Sequence, residues 1–358
     1  MKTRKSSDGR GATTNAASKR FGDPHHDDDP DWLDARERLD GPPPKLRTSV
    51  TIERPRRAIT YNGSPDIGFD RSINPYRGCE HGCIYCFARP THAYLNLSPG
   101  RDFESRLFAK PDAPQLLEAE LAKPGYRVAP MALGTNTDPY QPIETDHRIT
   151  RGLLEVLEKH GHPLTITTKS ANVCRDIDIL ARMAEKGLAS VAMSLTTLDS
   201  STASHMEPRA SSPARRVKAI GELSAAGIPV TVGVSPIIPA ITDHEIEDIL
   251  TTAAGAGART AFWLMIRLPH EVAPLFRAWL DAYYPERAGK VMTLIREARG
   301  GRDNDPDFFS RFRAQGPYAA MIRTRFDMTC RKLGLNRERP ALRRDLFRGH
   351  VDRQYSLF

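Results

Sequence analysis

The chain has 358 residues, of which 39% are hydrophobic, and its 52 lysines and arginines outnumber 44 acidic residues to give a formal net charge of +8. It contains no apolar stretch long enough to cross a bilayer, and its first residues, MKTRKSSDGRGATT, lack the apolar core of a signal peptide; together these exclude a membrane-spanning protein and predict a cytoplasmic one. The five cysteines favour a reducing compartment over a disulfide framework, and the basic balance permits a polyanionic partner without requiring one.

The first segment, residues 1–48, has the composition of a disordered charged tail. It is rich in Gly, Ser, Asp and Pro, with an acidic run at HHDDDPDWLD and a stop at PPP. A metal site at His25, His26 and Asp27 is the alternative, and a solvated tail is favoured over it.

A core of alternating strands and helices is predicted within residues 49–270. The predicted strands are FDRSIN, MALG (131–134), LTITT (164–168), SVAMSL (190–195), PVTVGV (229–234) and TAFWLM (260–265). Helical patterns lie between them, one of them beginning at Thr242 with Glu245 completing a capping box. This alternation is typical of parallel βαβ units, and six such units fit an α/β fold of the incomplete (β/α)6 TIM-type barrel class.

Helical patterns without strands continue through residues 271–348, which predicts a basic helical extension, followed by a flexible tail over 349–358. Residues 331–353 contain eight Lys or Arg and three acidic residues. This stretch is either a phosphate-contacting segment or a solvated helix face.

Three cysteines, Cys79, Cys83 and Cys86, lie in one short run, NPYRGCEHGCIYCF. A [4Fe–4S] cluster normally takes four thiolates, so three leave one iron open to a chelating small molecule. A zinc module needs further ligands at similar reach, whereas Cys174 and Cys330 are single and distant. His81, between the ligands, is interpreted as a solvated loop histidine.

This run, with Tyr85 just before the third cysteine, resembles the signature of radical S-adenosylmethionine (SAM) enzymes, and most nearly the spore photoproduct lyase-like branch, over roughly residues 68–270. The resemblance implies the same incomplete barrel, a [4Fe–4S] cluster whose open iron binds the methionyl end of SAM, and an electron donor such as flavodoxin or ferredoxin. One electron then cleaves SAM to a 5′-deoxyadenosyl radical.

The resemblance also implies roles for side chains at the strand ends. The implied SAM contacts are Thr135, Asn136, Thr137 and Asp138 for the amine, Lys169 for the carboxylate, Ser194 for the ribose and Tyr85 for the adenine. From the residues alone, the alternatives are an Asp-Pro turn at 135–138 and a surface lysine at Lys169 that ends a strand, and the SAM-contacting interpretation is favoured over both.

One departure from the branch concerns the hydrogen donor. Spore photoproduct lyases use a cysteine downstream of the cluster, but the corresponding region here, around Pro130 and Met131, has none. Cys174, at a predicted helix start that favours a thiolate, is a candidate for this role, with a buried structural residue as the alternative. Tyr140 is a candidate radical relay.

The last five residues, QYSLF, resemble the short peptide by which bacterial DNA polymerases and repair proteins dock on the sliding clamp. Leu357 and Phe358 would fill an apolar pocket while Gln354 binds its rim; folding back onto the helices is the alternative. We therefore expect a radical SAM enzyme that acts on DNA in a lyase or repair-type reaction. The alternatives are modification of RNA or protein, and a non-catalytic DNA-associated iron–sulfur redox sensor.

Overall fold

A computed structural model of the chain describes residues 9–21, 46–338 and 341–349. Ten strands lie in this part: β1 (Ser49–Ile52), β2 (Ile59–Tyr61), β3 (Arg71–Ile73), β4 (Tyr76–Arg77), β5 (Arg106–Ala109), β6 (Met131–Leu133), β7 (Leu164–Thr168), β8 (Ala189–Ser194), β9 (Val230–Ile237) and β10 (Thr260–Met265).

Eleven α-helices accompany the described strands: α1 (Asp102–Ser105), α2 (Ala113–Leu121), α3 (Glu144–His147), α4 (Ile149–Lys159), α5 (Ile177–Glu185), α6 (Ser200–Met206), α7 (Pro213–Ala225), α8 (Ile246–Gly255), α9 (Val272–Tyr283), α10 (Pro285–Glu297) and α11 (Gly316–Leu333). Three short 3₁₀ helices span Arg89–Leu95, Ala171–Asp176 and Asp243–Glu245. No described helix has the length and apolar character needed to traverse a bilayer.

The main sheet has the order β10-β9-β8-β7-β6-β3-β2, and its six strands from β3 to β10 are parallel. Only β2 runs antiparallel, at the outer edge of β3. The two edge strands of the described sheet, β2 and β10, do not pair with each other. The sheet is therefore open, as the predicted incomplete barrel requires. The six predicted strands and the α/β class are thus confirmed.

The central strands bury one face fully, while the positions that alternate with it are mostly only partly buried. In β7, Leu164 and Ile166 are fully buried, and in β8 so are Val191 and Met193. Ile166 pairs with Val191 in register, which continues the apolar layer from one strand to the next. The carboxyl ends of all six parallel strands therefore lie at one edge of the sheet, where the loops carry the predicted site residues.

The predicted capping box at Thr242 is wrong. The Thr242 hydroxyl accepts a hydrogen bond from Ile238 N at 2.9 Å instead of capping the helix. The Glu245 carboxylate accepts from the Thr197 hydroxyl (2.5 Å) and from Leu198 N (2.6 Å), so the helix α8 begins only after it. Thr242 thus bonds to the preceding loop and Glu245 to donors far away in the sequence, so neither side chain caps the helix.

Part of the segment predicted to be disordered is ordered. Residues 9–21 pack beside the cysteine loop, where Ala12 is fully buried and Arg10 is 3% exposed. A small second sheet, β1-β5-β4, lies in the same region. Small residues let this segment approach a neighbouring backbone closely, which its low hydrophobicity does not reveal. Residues 1–8 and 22–45 lie outside the described part, and the proposed domain boundaries stay a prediction.

Candidate active site

The cysteine loop begins just after β4, a short strand of the small second sheet that follows the carboxyl end of β3. Gly78 has φ +73°, and a Cβ there would lie 2.6 Å from Leu107 and 2.8 Å from the Phe103 carbonyl, so the chain can turn here only with glycine. Cys79 N then donates to the same Phe103 carbonyl at 2.9 Å.

The three thiols are close enough to influence one another. Burial raises the pKa of Cys79 well above its usual value, and the charges of Asp138, Cys83 and Cys86 raise it further. Burial also raises the pKa of Cys83, with a contribution from Glu207 that the Lys169 cation opposes. The raised pKa values of Cys79 and Cys83 favour protonated thiols in the absence of a metal, and iron ligation would convert them to thiolates.

The loop after β6, residues 134–141, is hydrogen-bonded to the cysteine loop. The Thr137 hydroxyl donates to the Gly78 carbonyl at 2.7 Å, and the Thr135 hydroxyl lies 3.2 Å from Asn74 Oδ1, which also accepts from Asn136 N at 3.0 Å. The predicted SAM-contacting loop is thus brought directly onto the loop that carries the cysteines.

Gln141, which was not predicted, completes this junction. It is fully buried, and its amide donates to the Gly78 carbonyl at 3.2 Å while its oxygen accepts from Glu80 N at 2.8 Å. A glutamine in the loop beyond the second predicted strand carries no recognisable sequence signal.

Asp138 organises this corner of the site. One carboxylate oxygen accepts from the Thr168 hydroxyl (2.7 Å) and Tyr140 N (2.9 Å); the other accepts from Lys169 N (2.8 Å) and lies 3.4 Å from His81 Nδ1. Burial alone would raise the pKa of Asp138, but His81 and these donors outweigh it and hold that pKa at about 2.

His81 is 2% exposed, so its interpretation as a solvated loop residue is wrong. It is buried because it pairs with Asp138 across two loops, a contact that the cysteine motif alone does not predict. Since both oxygens of Asp138 already accept donors from the protein, its contact with the SAM amine stays a prediction.

A buried ion pair, Glu207 with Arg216, links Tyr85 to Ser194. The Tyr85 hydroxyl donates to the Glu207 carboxylate, and Glu207 pairs with Arg216, which donates to the Ser194 carbonyl at 3.1 Å. Glu207 is 3% and Arg216 1% exposed. Neither was predicted, because in the sequence both look like ordinary surface charges.

The Lys169 ammonium lies over the Tyr85 ring, 5.7 Å from its centroid. Within the described residues it forms no ion pair with a carboxylate. A cation in this position at a strand end is available to an anionic ligand group.

The two proposed radical-relay residues face other parts of the protein. The Tyr140 hydroxyl donates to Asp176 at 3.1 Å, and burial and the Asp176 charge raise its pKa well above 10. Cys174 Sγ lies 3.9 Å from the Ala219 carbonyl in α7, and burial together with Glu222 raises its pKa to about 12. The expectation of a thiolate at Cys174 is therefore wrong, and its catalytic role stays a prediction.

A second buried ion pair, Arg89 with Glu104, is hydrogen-bonded to the backbone of the cysteine loop. Arg89 and Glu104 are both fully buried, with 2.5 Å between Nη2 and Oε1. Arg89 also donates to the carbonyls of Cys83 (2.9 Å) and Gly82 (3.0 Å). This pair fixes the backbone on both sides of the second cysteine.

Residues 10–12, which we call the N-terminal strap, close over this pair. Gly11 N and Ala12 N each donate to the Glu104 carboxylate at 2.8 Å. The strap passes so close to the loop that a Cβ on Gly11 would lie 1.7 Å from the Gly82 carbonyl oxygen. Sequence reasoning missed this contact because it joins residues about 90 positions apart.

The sequence matches the profile of the radical SAM superfamily over residues 73–253, which includes the three cysteines and all the strand ends that carry predicted SAM contacts. The chain belongs to this superfamily. An uncharacterised protein of Mycobacterium tuberculosis (strain H37Rv) is 36% identical over 232 residues, which are 64% of this chain and 68% of that protein.

The radical SAM core is also similar to solved structures of spore photoproduct lyase. The lyase complexed with dinucleoside spore photoproduct has a TM-score of 0.56 at 16% identity, with 80% of each chain covered. A doubly substituted mutant of that lyase, with bound AdoMet and the same dinucleoside, has a TM-score of 0.55, 16% identity and the same coverage. At this identity the match shows the shared fold.

A radical SAM enzyme uses a [4Fe–4S] cluster and SAM, and the residues present fit both. Three neighbouring thiols, two of them buried and that of Cys86 half-buried, offer the soft ligands that iron–sulfur clusters take. The described residues contain no group of three or more His, Cys, Asp or Glu arranged for a single metal ion. Cys79, Cys83 and Cys86 would hold the cluster, and the 135–138 loop is hydrogen-bonded to the loop that carries them.

Proposed function

We propose that this radical SAM enzyme acts on DNA, in a lyase or repair-type reaction. The observation that carries this proposal is the fold similarity to spore photoproduct lyase, which was solved with a dinucleoside lesion bound, over 80% of both chains. The net charge of +8 supports a polyanionic substrate.

When bound, the cluster and SAM supply a 5′-deoxyadenosyl radical. The chain's own side chains bind and orient SAM: the free Lys169 cation for its carboxylate, Ser194 for the ribose and Tyr85 for the adenine. Tyr85 is already held by its hydroxyl on Glu207, so its ring is presented in one orientation. Thr135, Asn136, Thr137 and Asp138 bring their loop against the cluster side of the site.

The hydrogen donor of the proposed reaction is unlike that of the spore photoproduct lyases. Met131 begins β6 and is fully buried, and no cysteine lies near it in the sequence. Cys174 and Tyr140 stay the proposed relay residues of this chain, although their hydrogen bonds lead to Ala219 and Asp176.

SAM cleavage in the presence of different polymers tests the proposal. Anaerobically reconstituted protein with a chemical reductant and SAM is given duplex DNA, ultraviolet-irradiated DNA, RNA or no polymer, and 5′-deoxyadenosine is quantified by mass spectrometry. We expect irradiated or duplex DNA to increase its formation, and a Cys83→Ser variant to form none.

Formation that is equal with and without DNA, with no change in the DNA, would contradict the proposal. Stimulation by RNA alone would point to the RNA-modifying alternative. Stable DNA binding without any SAM cleavage would point to the redox sensor.

We also propose that the enzyme docks on the bacterial sliding clamp through Gln354, Leu357 and Phe358, which lie outside the described residues. Support for this docking comes from the resemblance of QYSLF to the clamp-binding peptide. The described segment 341–349 lies at the amino edge of the sheet, because Arg343 N bonds to the Gly187 carbonyl and Arg348 N to the His160 carbonyl, just ahead of β8 and β7.

Clamp binding is measured with the full chain, a Leu357→Ala/Phe358→Ala variant and an Arg353→Ala control. Loss of binding in the double variant alone is the expected result. Absence of binding by the wild type would remove the clamp from the proposal without touching SAM chemistry.

A further inference from the structure

The loop between α10 and α11 carries an alternating stack of aromatic rings and guanidinium groups. The Arg311 guanidinium carbon lies 4.8 Å from the centroid of Phe308 and 4.9 Å from that of Phe312. On Phe312 lies a second guanidinium, that of Arg267, at 4.7 Å. The order Phe308, Arg311, Phe312, Arg267 places rings and cations in contact, an arrangement stabilised by cation–π attraction.

The stack is held in place by buried contacts. Arg311 forms a two-pronged ion pair with Asp66 at 2.5 and 2.8 Å, which joins this loop to the one between β2 and β3. Arg299 donates to the carbonyls of Met265 (2.9 Å) and Ile266 (3.2 Å), at the carboxyl end of β10. A ligand of this surface therefore meets a preformed stack and does not have to order it.

The outer end of the stack is open. Phe308 is 54% and the adjacent Phe309 59% exposed, although two neighbouring exposed phenyl rings are unfavourable in water. At the inner end, Arg267 forms no hydrogen bond or ion pair within the described residues, and its Nε is buried without an acceptor. Such an orphaned donor is costly unless an acceptor arrives.

A cleft of ≈510 Å³ opens beside the exposed rings, lined by Phe308, Phe309, Ser310, Arg313, Gln315 and Arg323 among others. Its lining contains two arginines and no acidic residue. An adjoining cleft of ≈330 Å³ shares Arg313 and Arg323 and reaches Phe312 and Trp263. The cleft also includes Gly316, the first residue of the 18-residue helix α11, whose amino end favours anions.

Exposed rings, arginines in a cleft whose lining has no acidic residue, and a helix amino end match one chemical class. Bases stack on aromatic rings whatever their identity, and phosphates bind arginine and helix amino ends. An acidic peptide would use the cations but leave the two rings without a planar partner. Paired DNA would hide the faces of its bases from these rings.

We propose that this cleft, together with the stack, binds an unpaired segment of DNA, with bases on Phe308 and Phe309 and phosphates on Arg313 and Arg323. The inference deepens the proposed action on DNA and rests on it. Because Arg267 follows β10 and the cysteine loop follows β3, both lie beyond carboxyl ends of the same sheet. A strand bound in the cleft is thus on the edge of the molecule where the chemistry occurs.

The test is equilibrium binding of a fluorescent oligothymidylate of about 12 nucleotides to reconstituted holoenzyme, at several salt concentrations. Two double variants are compared: Phe308→Ala/Phe309→Ala and Arg313→Ala/Arg323→Ala. The controls are Met328→Ala, an exposed apolar residue of α11, and Arg215→Ala, an exposed arginine of α7.

We expect each double variant to weaken binding at least tenfold and both controls to bind like the wild type. The salt dependence separates the two contributions. Losing two phosphate contacts lowers the slope of log K against log salt by about 1.4, whereas losing the rings leaves that slope unchanged. A purely structural effect of the substitutions would not divide in this way.

Wild-type affinity in both double variants, or tighter binding of oligouridylate than of oligothymidylate, would overturn the proposal. Its failure is distinguishable from failure of the proposed function. If DNA stimulates SAM cleavage equally in the wild type and the variants, the proposed DNA binding by the cleft is refuted, and the proposed function is retained. If the variants lose oligonucleotide binding but DNA never stimulates SAM cleavage, DNA binding by the cleft is supported, and the proposed function is refuted.

Discussion

The buried pair of Arg89 and Glu104 offers a sharp test of how the cysteine loop is built. Arg89→Met keeps a long side chain but removes the guanidinium that donates to the carbonyls of Gly82 and Cys83. The Glu104 carboxylate then keeps its two strap donors but loses the guanidinium with which it is paired. We expect loss both of folding stability and of cluster content.

The magnitude follows from the burial of both partners. Removing one member of a buried pair costs about 3–5 kcal/mol, a large part of the roughly 5–15 kcal/mol that stabilises a typical domain. A double variant, Arg89→Met/Glu104→Leu, removes both charges and should be less unstable than the sum of the two single variants by about 0.5–3 kcal/mol.

Urea unfolding under anaerobic conditions and the iron and sulfide content per chain are the measurements. Arg182→Met, at the exposed ion pair with Glu158, is the control and should leave both quantities unchanged. If Arg89→Met unfolds at the same urea concentration as the control and retains all its iron, the pair does not support the loop.

Three further predictions concern the strap, SAM and pH. Gly11→Ala places a Cβ 1.7 Å from the Gly82 carbonyl oxygen and should displace the strap. The reconstituted cluster of this variant should decay faster in air than that of a Gly63→Ala control, because a Cβ on Gly63 would have no atom within 4 Å. Lys169→Met should weaken SAM binding measured by calorimetry by about 1.5–3 kcal/mol, the value of a charge-assisted hydrogen bond, and unchanged affinity would refute its role. Burial lowers the pKa of His162 from 6.5 to about 4, so between these two pH values the unfolded chain binds a proton that the folded chain does not. The free energy of unfolding should therefore fall by about 3 kcal/mol from pH 6.5 to pH 4. Urea unfolding should show a smaller fall in His162→Gln.

The strands and the cluster ligands could be predicted because their signals are local. The run LTITT alternates β-branched and apolar residues within one strand, and it became β7 with the predicted bounds. The three cysteines are defined by spacing along a single loop. Neither inference needs knowledge of a distant partner.

The rest of the site depends on partners far apart in the sequence. His81 is buried only because Asp138 meets it, and Glu207 only because Arg216 and Tyr85 do. A charged residue in a polar stretch looks solvated until its counter-charge is located. The same reason explains the strap, whose glycine-rich composition is typical of disorder but whose amides find Glu104.

Electron paramagnetic resonance of the reduced, reconstituted protein tests the central claim most directly. If Cys79, Cys83 and Cys86 hold a cluster with one open iron, adding SAM should change the signal of the reduced cluster, and the change should be weaker in Lys169→Met. A cluster signal that SAM does not alter, or none in correctly folded protein, would contradict the account.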